Sequence, residues 1–201
     1  MEGKDRSRDG PARVTELIGG VEAPAVVVVP YRQEWPETFD RHRARIAAAL
    51  GAGAVGIDHI GSTAVPGLAA KPIVDILVVV ADSADEEPYL PAMERAGYVL
   101  RVREPDFEEH RMFRTPERDV HVHVLSAGSP EIERYLRLRD ALRAAPFLRA
   151  RYQALKQTLA AQDWQDMNAY AQAKSGMIET IILWSRRTDP GGPELAPGGQ
   201  G

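Results

Sequence analysis

The order of segments in this chain predicts an α+β fold, with a mixed sheet first and helices after it. Three observations carry that expectation. Short apolar or alternating stretches that read as strands all precede Ser129. From Ser129 onward the apolar spacing becomes helical. The stretch Ile73 to Val80 is apolar throughout except for Asp75, and so reads as the central strand.

Each element has its own signal. Ala25 to Val29 reads as a buried strand. Pro36 to Leu50 reads as a helix, with proline in its first turn, Phe39, Ile46 and Leu50 as apolar positions, and Gly51 just past its end. Val55 to Ile60 is the next strand, followed by Ile73 to Val80. A helix is expected within Ser83 to Ala96, starting near Pro88, with Leu90 and Met93 inward and Gly97 as terminator. The acidic run Asp82 to Glu87 then reads as its solvated start. Tyr98 to Val102, His110 to Arg114 and Asp119 to Leu125 are strands, the last two joined by a turn at Pro116-Glu117-Arg118. Ser129-Pro130 caps a helix that Pro146 ends. Leu148, Tyr152, Leu155 and Leu159 mark another, and a last helix is expected from about Asp166 to Arg186. Trp35, Trp164 and Trp184 read as packing residues, and Arg41, Arg43 and Arg45 as an exposed helix face.

Composition bounds the function classes. The chain has 201 residues, enough for one domain at 21–187 between unstructured tails at 1–20 and 188–201, the latter rich in Pro and Gly. The formal net charge is −4 and the pI about 5.8, so general nucleic-acid binding is not expected. There is no cysteine, which excludes disulfides and thiolate metal sites. No apolar run approaches a membrane span, and Met1 to Arg13 lacks the apolar core of a signal peptide. A cytoplasmic location without membrane association is the expectation.

The chemistry concentrates in Asp58-His59-Ile60-Gly61-Ser62-Thr63-Ala64-Val65-Pro66-Gly67-Leu68, Lys71-Pro72 and the strand carrying Asp75. Gly61 lets backbone approach a ligand closely. Ser62 and Thr63 offer hydroxyls and N–H groups. A lone carboxylate in a central strand is costly unless paired, hydrogen-bonded or metal-bound. In Asp119-Val120-His121-Val122-His123-Val124-Leu125, the valines share one face and the histidines the other. Imidazoles at i, i+2 suit zinc or another transition metal, and also proton transfer; a solvated strand face is the alternative. His59 reads as a further ligand or as a hydrogen-bonded core histidine. On the helices, Arg139 lies centrally among Ile132, Tyr135, Leu136 and Leu142. Lys174 falls in the stripe of Met167, Tyr170, Met177, Ile178 and Ile181. These inward cations read either as ion-pair partners or as phosphate ligands in a cleft.

The stretch from His59 to Leu68, with Lys71-Pro72 and Asp75-Ile76, resembles the GrpB family. So do His121-Val122-His123-Val124, Gly128-Ser129-Pro130-Glu131, Arg139-Asp140, Leu142-Arg143, Tyr170 and Ala173-Lys174-Ser175. The likeness spans roughly Val26 to Arg186. The family belongs to the nucleotidyltransferase superfamily, whose best-known fold is that of DNA polymerase beta. The resemblance therefore implies a nucleotidyltransferase-like mixed sheet with helices and a C-terminal helical segment. It also implies a nucleotide or other phosphorylated small molecule as ligand, held between sheet and helices. Gly61, Ser62, Thr63, Lys71, Arg139 and Lys174 would bind phosphate. Asp75, His121 and His123 would be the catalytic and metal-binding residues, with Mn, Zn or Mg as the divalent cation. Active members of the superfamily carry a second carboxylate two residues after the first, and Leu77 stands there in this chain. An active enzyme would need to find its second metal ligand elsewhere, in Asp58 or in the histidines. The alternative is a catalytically silent ligand-binding or accessory module; some family members are fused to dephospho-coenzyme A kinase, whereas this chain carries no P-loop.

Overall fold

Six strands form one mixed sheet in the order β1-β4-β5-β6-β3-β2, here seen in a computed structural model. The structure describes residues 15–20, 27–162, 169, 172–189, 191–193, 195 and 198. The strands are β1 (Glu16–Leu17), β2 (Gly56–Ile60), β3 (Val74–Val80), β4 (Val99–Glu104), β5 (His110–Arg114) and β6 (Val120–Ser126). The helices are α1 (Glu34–Leu50), α2 (Leu90–Arg95), α3 (Pro130–Ala144), α4 (Pro146–Ala160) and α5 (Ser175–Thr188). β3 and β6 pair in parallel, while the other neighbouring pairs are antiparallel. A parallel pair needs a long crossover, which here contains α2, β4 and β5.

The alternation along β3 and β6 sorts side chains onto two faces. Val74, Ile76, Val78 and Val80 join Val120, Val122 and Val124 in a core with Trp35 and Ile46 of α1 and Met93 of α2. On the opposite face Leu77, Val79 and Leu125 pack with Ile60 and with Leu136 of α3. Helices therefore pack on both faces, and His121 and His123 on the second face remain half-buried. A third cluster joins Val65 and Leu68 of the loop after β2 to Leu142, Leu148, Tyr152 and Ile181 of the three C-terminal helices.

Most element boundaries agree with the sequence reading within a few residues, and the α+β class holds. Pro36 sits in the first turn of α1, where its missing N–H removes no helical bond. Five differences stand out. Val29 forms only an isolated bridge with Ala70; the strand expected from Ala25 begins outside the described residues. The helix expected within Ser83 to Ala96 shortens to Leu90–Arg95. Glu86, read as solvated, instead accepts from Arg103 and Arg111, each at 2.6 Å, and ties β4 and β5 to the loop before α2. Glu16 and Leu17, read as tail, pair with Arg103 and Val102 at the edge of β4. In the other expected tail, Leu195 packs on the face beneath α3, and the Gly198 N–H donates to the Val55 carbonyl at 3.1 Å. Composition identified few apolar residues in these segments but not the open sheet edges and apolar face that receive them. Trp164, Met167, Tyr170 and the start of the last expected helix lie outside the described residues.

A buried ion pair ties α3 to the sheet. Arg139 Nη1 donates to Asp58 Oδ1 at 2.8 Å, and the other edge of its guanidinium grips Asp140 at 2.7 and 3.0 Å. Both Arg139 and Asp58 are buried, so removing one partner strands a charge. Arg139→Met should cost about 3–5 kcal/mol in denaturant-induced unfolding. The Asp58→Asn/Arg139→Met double variant should recover part of that loss, and equal stability of wild type and Arg139→Met would refute the assignment.

Candidate functional site

Asp75, His121 and His123 meet because β3 and β6 are parallel and in register. Asp75 pairs with His121, and Leu77 with His123, so the three polar side chains share the face that α3 covers. Asp75 Oδ1 lies 3.4 Å from His123 Nε2 and 3.7 Å from His121 Nδ1. One ligand atom from each residue lies within 4.8 Å of the other two, and among the described residues this is the cluster able to hold a metal ion. Metal–ligand bonds of about 2.0–2.2 Å place adjacent ligand atoms roughly 3.0–3.5 Å apart, so the spacing suits a shared cation with little movement. Two neutral nitrogens and one carboxylate suit zinc, manganese or iron better than magnesium, which wants mostly oxygen.

Charge near Asp75 is set by its neighbours. Burial opposes its ionisation, and the polar groups around it favour it. Burial also holds His121 below the ordinary histidine value, against the attraction of Asp75. Gly61 follows β2 with φ +69°, and a Cβ there would collide with the Asp75 carboxylate. Only glycine satisfies both the left-handed turn and the close approach. The Ser62–Ala64 turn packs beside β3. Within it, the Thr63 hydroxyl is buried and lies 3.1 Å from His59 Nε2.

His59 is a core histidine. It faces away from the triad, stacked on Phe39 of α1 at 4.8 Å. Burial pushes its pKa down to about 4. Arg139, expected as a phosphate ligand, instead neutralises Asp58, which removes Asp58 as a substitute second metal carboxylate. Both fates depend on which strand lies under which helix, a relation the sequence does not contain.

The lysines do gather. Burial lowers the Lys71 pKa to about 8, helped by repulsion from Lys174 and opposed by Asp75. Lys174 immediately precedes α5 and is itself lowered by burial, again opposed by Asp75. Lys156 of α4, absent from the sequence-predicted set, is buried and lowered to about 7 by burial and by Lys174. Its Nζ donates to the Ala69 carbonyl at 2.5 Å. Its signal was present: Leu148, Tyr152 and Lys156 recur every four residues, and it is Lys156 rather than half-buried Leu155 that completes the buried stripe. His110 and Glu104 were also missed. His110 Nε2 lies 3.0 Å from His123 Nδ1, and His110 Nδ1 lies 2.8 Å from Glu104 Oε2. Nothing in the strand His110–Arg114 marked it, because the contact depends on the β5–β6 register.

The depressed His59 pKa predicts a pH effect on stability. The unfolded chain binds this proton near 6.5 and the folded chain only near 4. Between those values the unfolded state carries more protons, so stability rises with pH across that window and is lost toward pH 4. Replacing His59 with Gln should make the slope of unfolding free energy against pH shallower there. An unchanged slope would show that His59 titrates normally.

Comparison with known proteins places these observations in a family. The family model described as GrpB protein matches residues 25–183. A UPF0157 protein of Streptomyces coelicolor is 55% identical over 166 residues, covering 83% of this chain and 87% of its own. Another, from Halalkalibacterium halodurans, is 45% identical over 191 residues, covering 92% and 98%. The crystal structure of conserved protein GrpB from Enterococcus faecalis aligns with a TM-score of 0.69 at 30% identity, over 81% of this chain and 98% of that one. A dephospho-CoA kinase of Mycolicibacterium paratuberculosis is 30% identical over 175 residues, covering 74% of this chain but 43% of the kinase. With its family model spanning most of the sequence and relatives matched over nearly their full lengths, this chain belongs to the GrpB family.

Proposed function

We propose that this protein binds a phosphorylated small molecule, with nucleotides the first class to test, at a transition-metal centre formed by Asp75, His121 and His123. One observation carries the reading: the carboxylate of a metal-capable triad also faces two half-buried lysines, Lys71 and Lys174, with buried Lys156 next to Lys174. Buried ammonium groups that repel one another are stabilised by an anion entering among them. A phosphate bridging the metal and Lys71 or Lys174 supplies that anion, while Gly61 and Ser62 bring backbone close. Lys156 is a third source of positive charge. Arg139 and Thr63 are left out of the binding set because Asp58 and His59 engage them. The likeness to a protein named dephospho-CoA kinase supports a ligand of this class.

Nucleotidyl transfer is the activity that superfamily membership would imply. A bound divalent cation would supply Lewis-acid polarisation of a phosphoryl oxygen. Leu77 favours the second reading, binding without transfer. It is fully buried in the cluster beneath α3, where a carboxylate could not be accommodated without repacking. With one carboxylate the centre cannot hold two hard cations in the manner of two-metal transferases.

Thermal unfolding with zinc, manganese and magnesium, each with and without nucleoside triphosphates, tests the proposal, since a ligand of the folded state raises its apparent stability. Zinc or manganese should stabilise the wild type more than magnesium does, and His121→Ala/His123→Ala should lose that effect. Lys174→Met should retain the metal but bind the nucleotide roughly tenfold or more weakly, as expected for losing a charged hydrogen bond. Equal, negligible metal binding by wild type and double variant would sink the metal centre. Pyrophosphate release from a triphosphate would argue for transfer over silent binding.

A further inference from the structure

Glu104 on β4, His110 on β5 and His123 on β6 form a line of polar contacts that ends on Asp75 of β3. The successive separations are 2.8 Å from Glu104 Oε2 to His110 Nδ1, 3.0 Å from His110 Nε2 to His123 Nδ1, and 3.4 Å from His123 Nε2 to Asp75 Oδ1. The two imidazole planes differ by 18° with centroids 5.2 Å apart. Nearly coplanar rings with a short nitrogen–nitrogen distance meet edge to edge, as an N–H···N bond requires. The outer end is anchored as well, since the Thr15 hydroxyl donates to Glu104 Oε1 at 3.1 Å.

Both end carboxylates only accept, so two neutral rings leave one of the three contacts without a proton, and 2.8 Å at Glu104 against 3.4 Å at Asp75 puts that deficit at Asp75. An ionised carboxylate only accepts, so His110 donates to Glu104 through Nδ1–H. A neutral ring has one N–H, which leaves His110 Nε2 as an acceptor. His123 must then donate through Nδ1–H, and its Nε2 is left with a bare lone pair facing the Asp75 oxygen. Two electron-rich atoms face each other at a distance beyond an ordinary N–H···O bond. A cation between them converts this opposition into two bonds.

We infer that Glu104 and His110 are positioning residues that hold His123 in its Nδ1–H tautomer and so present its Nε2 lone pair to a cation beside Asp75. This rests on the metal-centre reading above and adds the residues that orient one ligand. Metal-bound histidines commonly donate their other N–H to a carboxylate or carbonyl; here a second imidazole intervenes, so the orienting carboxylate acts from two strands away. His121 is not part of this line, so loss of the line should impair the centre without abolishing it.

Two measurements on the full chain test the inference. Nitrogen-15 NMR of histidine-labelled, metal-free wild type, well above the ordinary histidine range, should show His123 and His110 as Nδ1–H tautomers. Glu104→Leu, which removes the acceptor, should lose that preference. Glu104→Gln should keep it, because its carbonyl can accept from His110 while its amide turns to the Thr15 hydroxyl. Cobalt(II) titration should follow the same order, with Glu104→Leu about tenfold or more weaker than wild type and Glu104→Gln close to wild type. An Nε2–H tautomer at His123 in the wild type overturns the inference, and this readout decides alone if Glu104→Leu fails to fold. Cobalt binding by folded Glu104→Leu equal to wild type also overturns it. Absence of cobalt binding in the wild type, with the Nδ1–H tautomer present and lost in Glu104→Leu, instead refutes the metal centre and leaves the orientation of His123 intact.

Discussion

Asp75 interrupts a β3 strand whose other six residues are apolar, and the surrounding polar architecture answers that one carboxylate. The strand lies between β2 and β6, and the Asp75 side chain is only partly open to water. The charge must be met by neighbouring side chains, and the fold supplies them from several directions. β6 brings two imidazoles in register, the turn after β2 brings a glycine whose missing side chain leaves room, and Lys71 and Lys174 add positive charge. A lone carboxylate in an otherwise apolar, buried strand is costly unless its neighbours meet its charge.

The other charged residues around it divide into scaffold and site. Arg139 binds Asp58 and Asp140, Arg143 donates to the Ala64 carbonyl at 2.9 Å, and Lys156 donates to the Ala69 carbonyl. These bonds pin α3 and α4 to β2 and to the loop carrying Gly61 and Ser62. They fix the loop against the sheet, so the backbone near Asp75 is positioned by helices that contribute little chemistry themselves. Residues that carry the family resemblance thus include both kinds, and matching a motif position does not distinguish a ligand from a strut.

The site's composition also selects its chemistry. Buried Leu77 leaves the triad with one carboxylate, and two imidazoles with one carboxylate are a donor set that would suit borderline metals better than hard cations. The lysines nearby have lowered pKa values because burial and mutual repulsion disfavour their charge. An incoming phosphate would pay part of that cost back, which links anion binding to the same cluster that disfavours the empty charged state.

By itself the sequence determined the fold class, the central strand, and the three residues of the metal-capable triad. Those follow from local rules: side chains alternate along a strand, so the valines of β6 had to bury and its histidines had to share the other face, and a charge in an apolar strand must find partners. Tertiary structure alone decided the rest. Which cation faces Asp75 depends on how α3, α4 and α5 dock, and so Arg139 went to Asp58 while Lys156 was buried against the Ala69 carbonyl. Whether His59 joined the triad depended on the face that β2 turns toward α1. The link from Glu104 through His110 to His123 depends on the registers of β4, β5 and β6, because hydrogen bonds reach only about 3 Å and a shift of one residue turns a side chain to the other face.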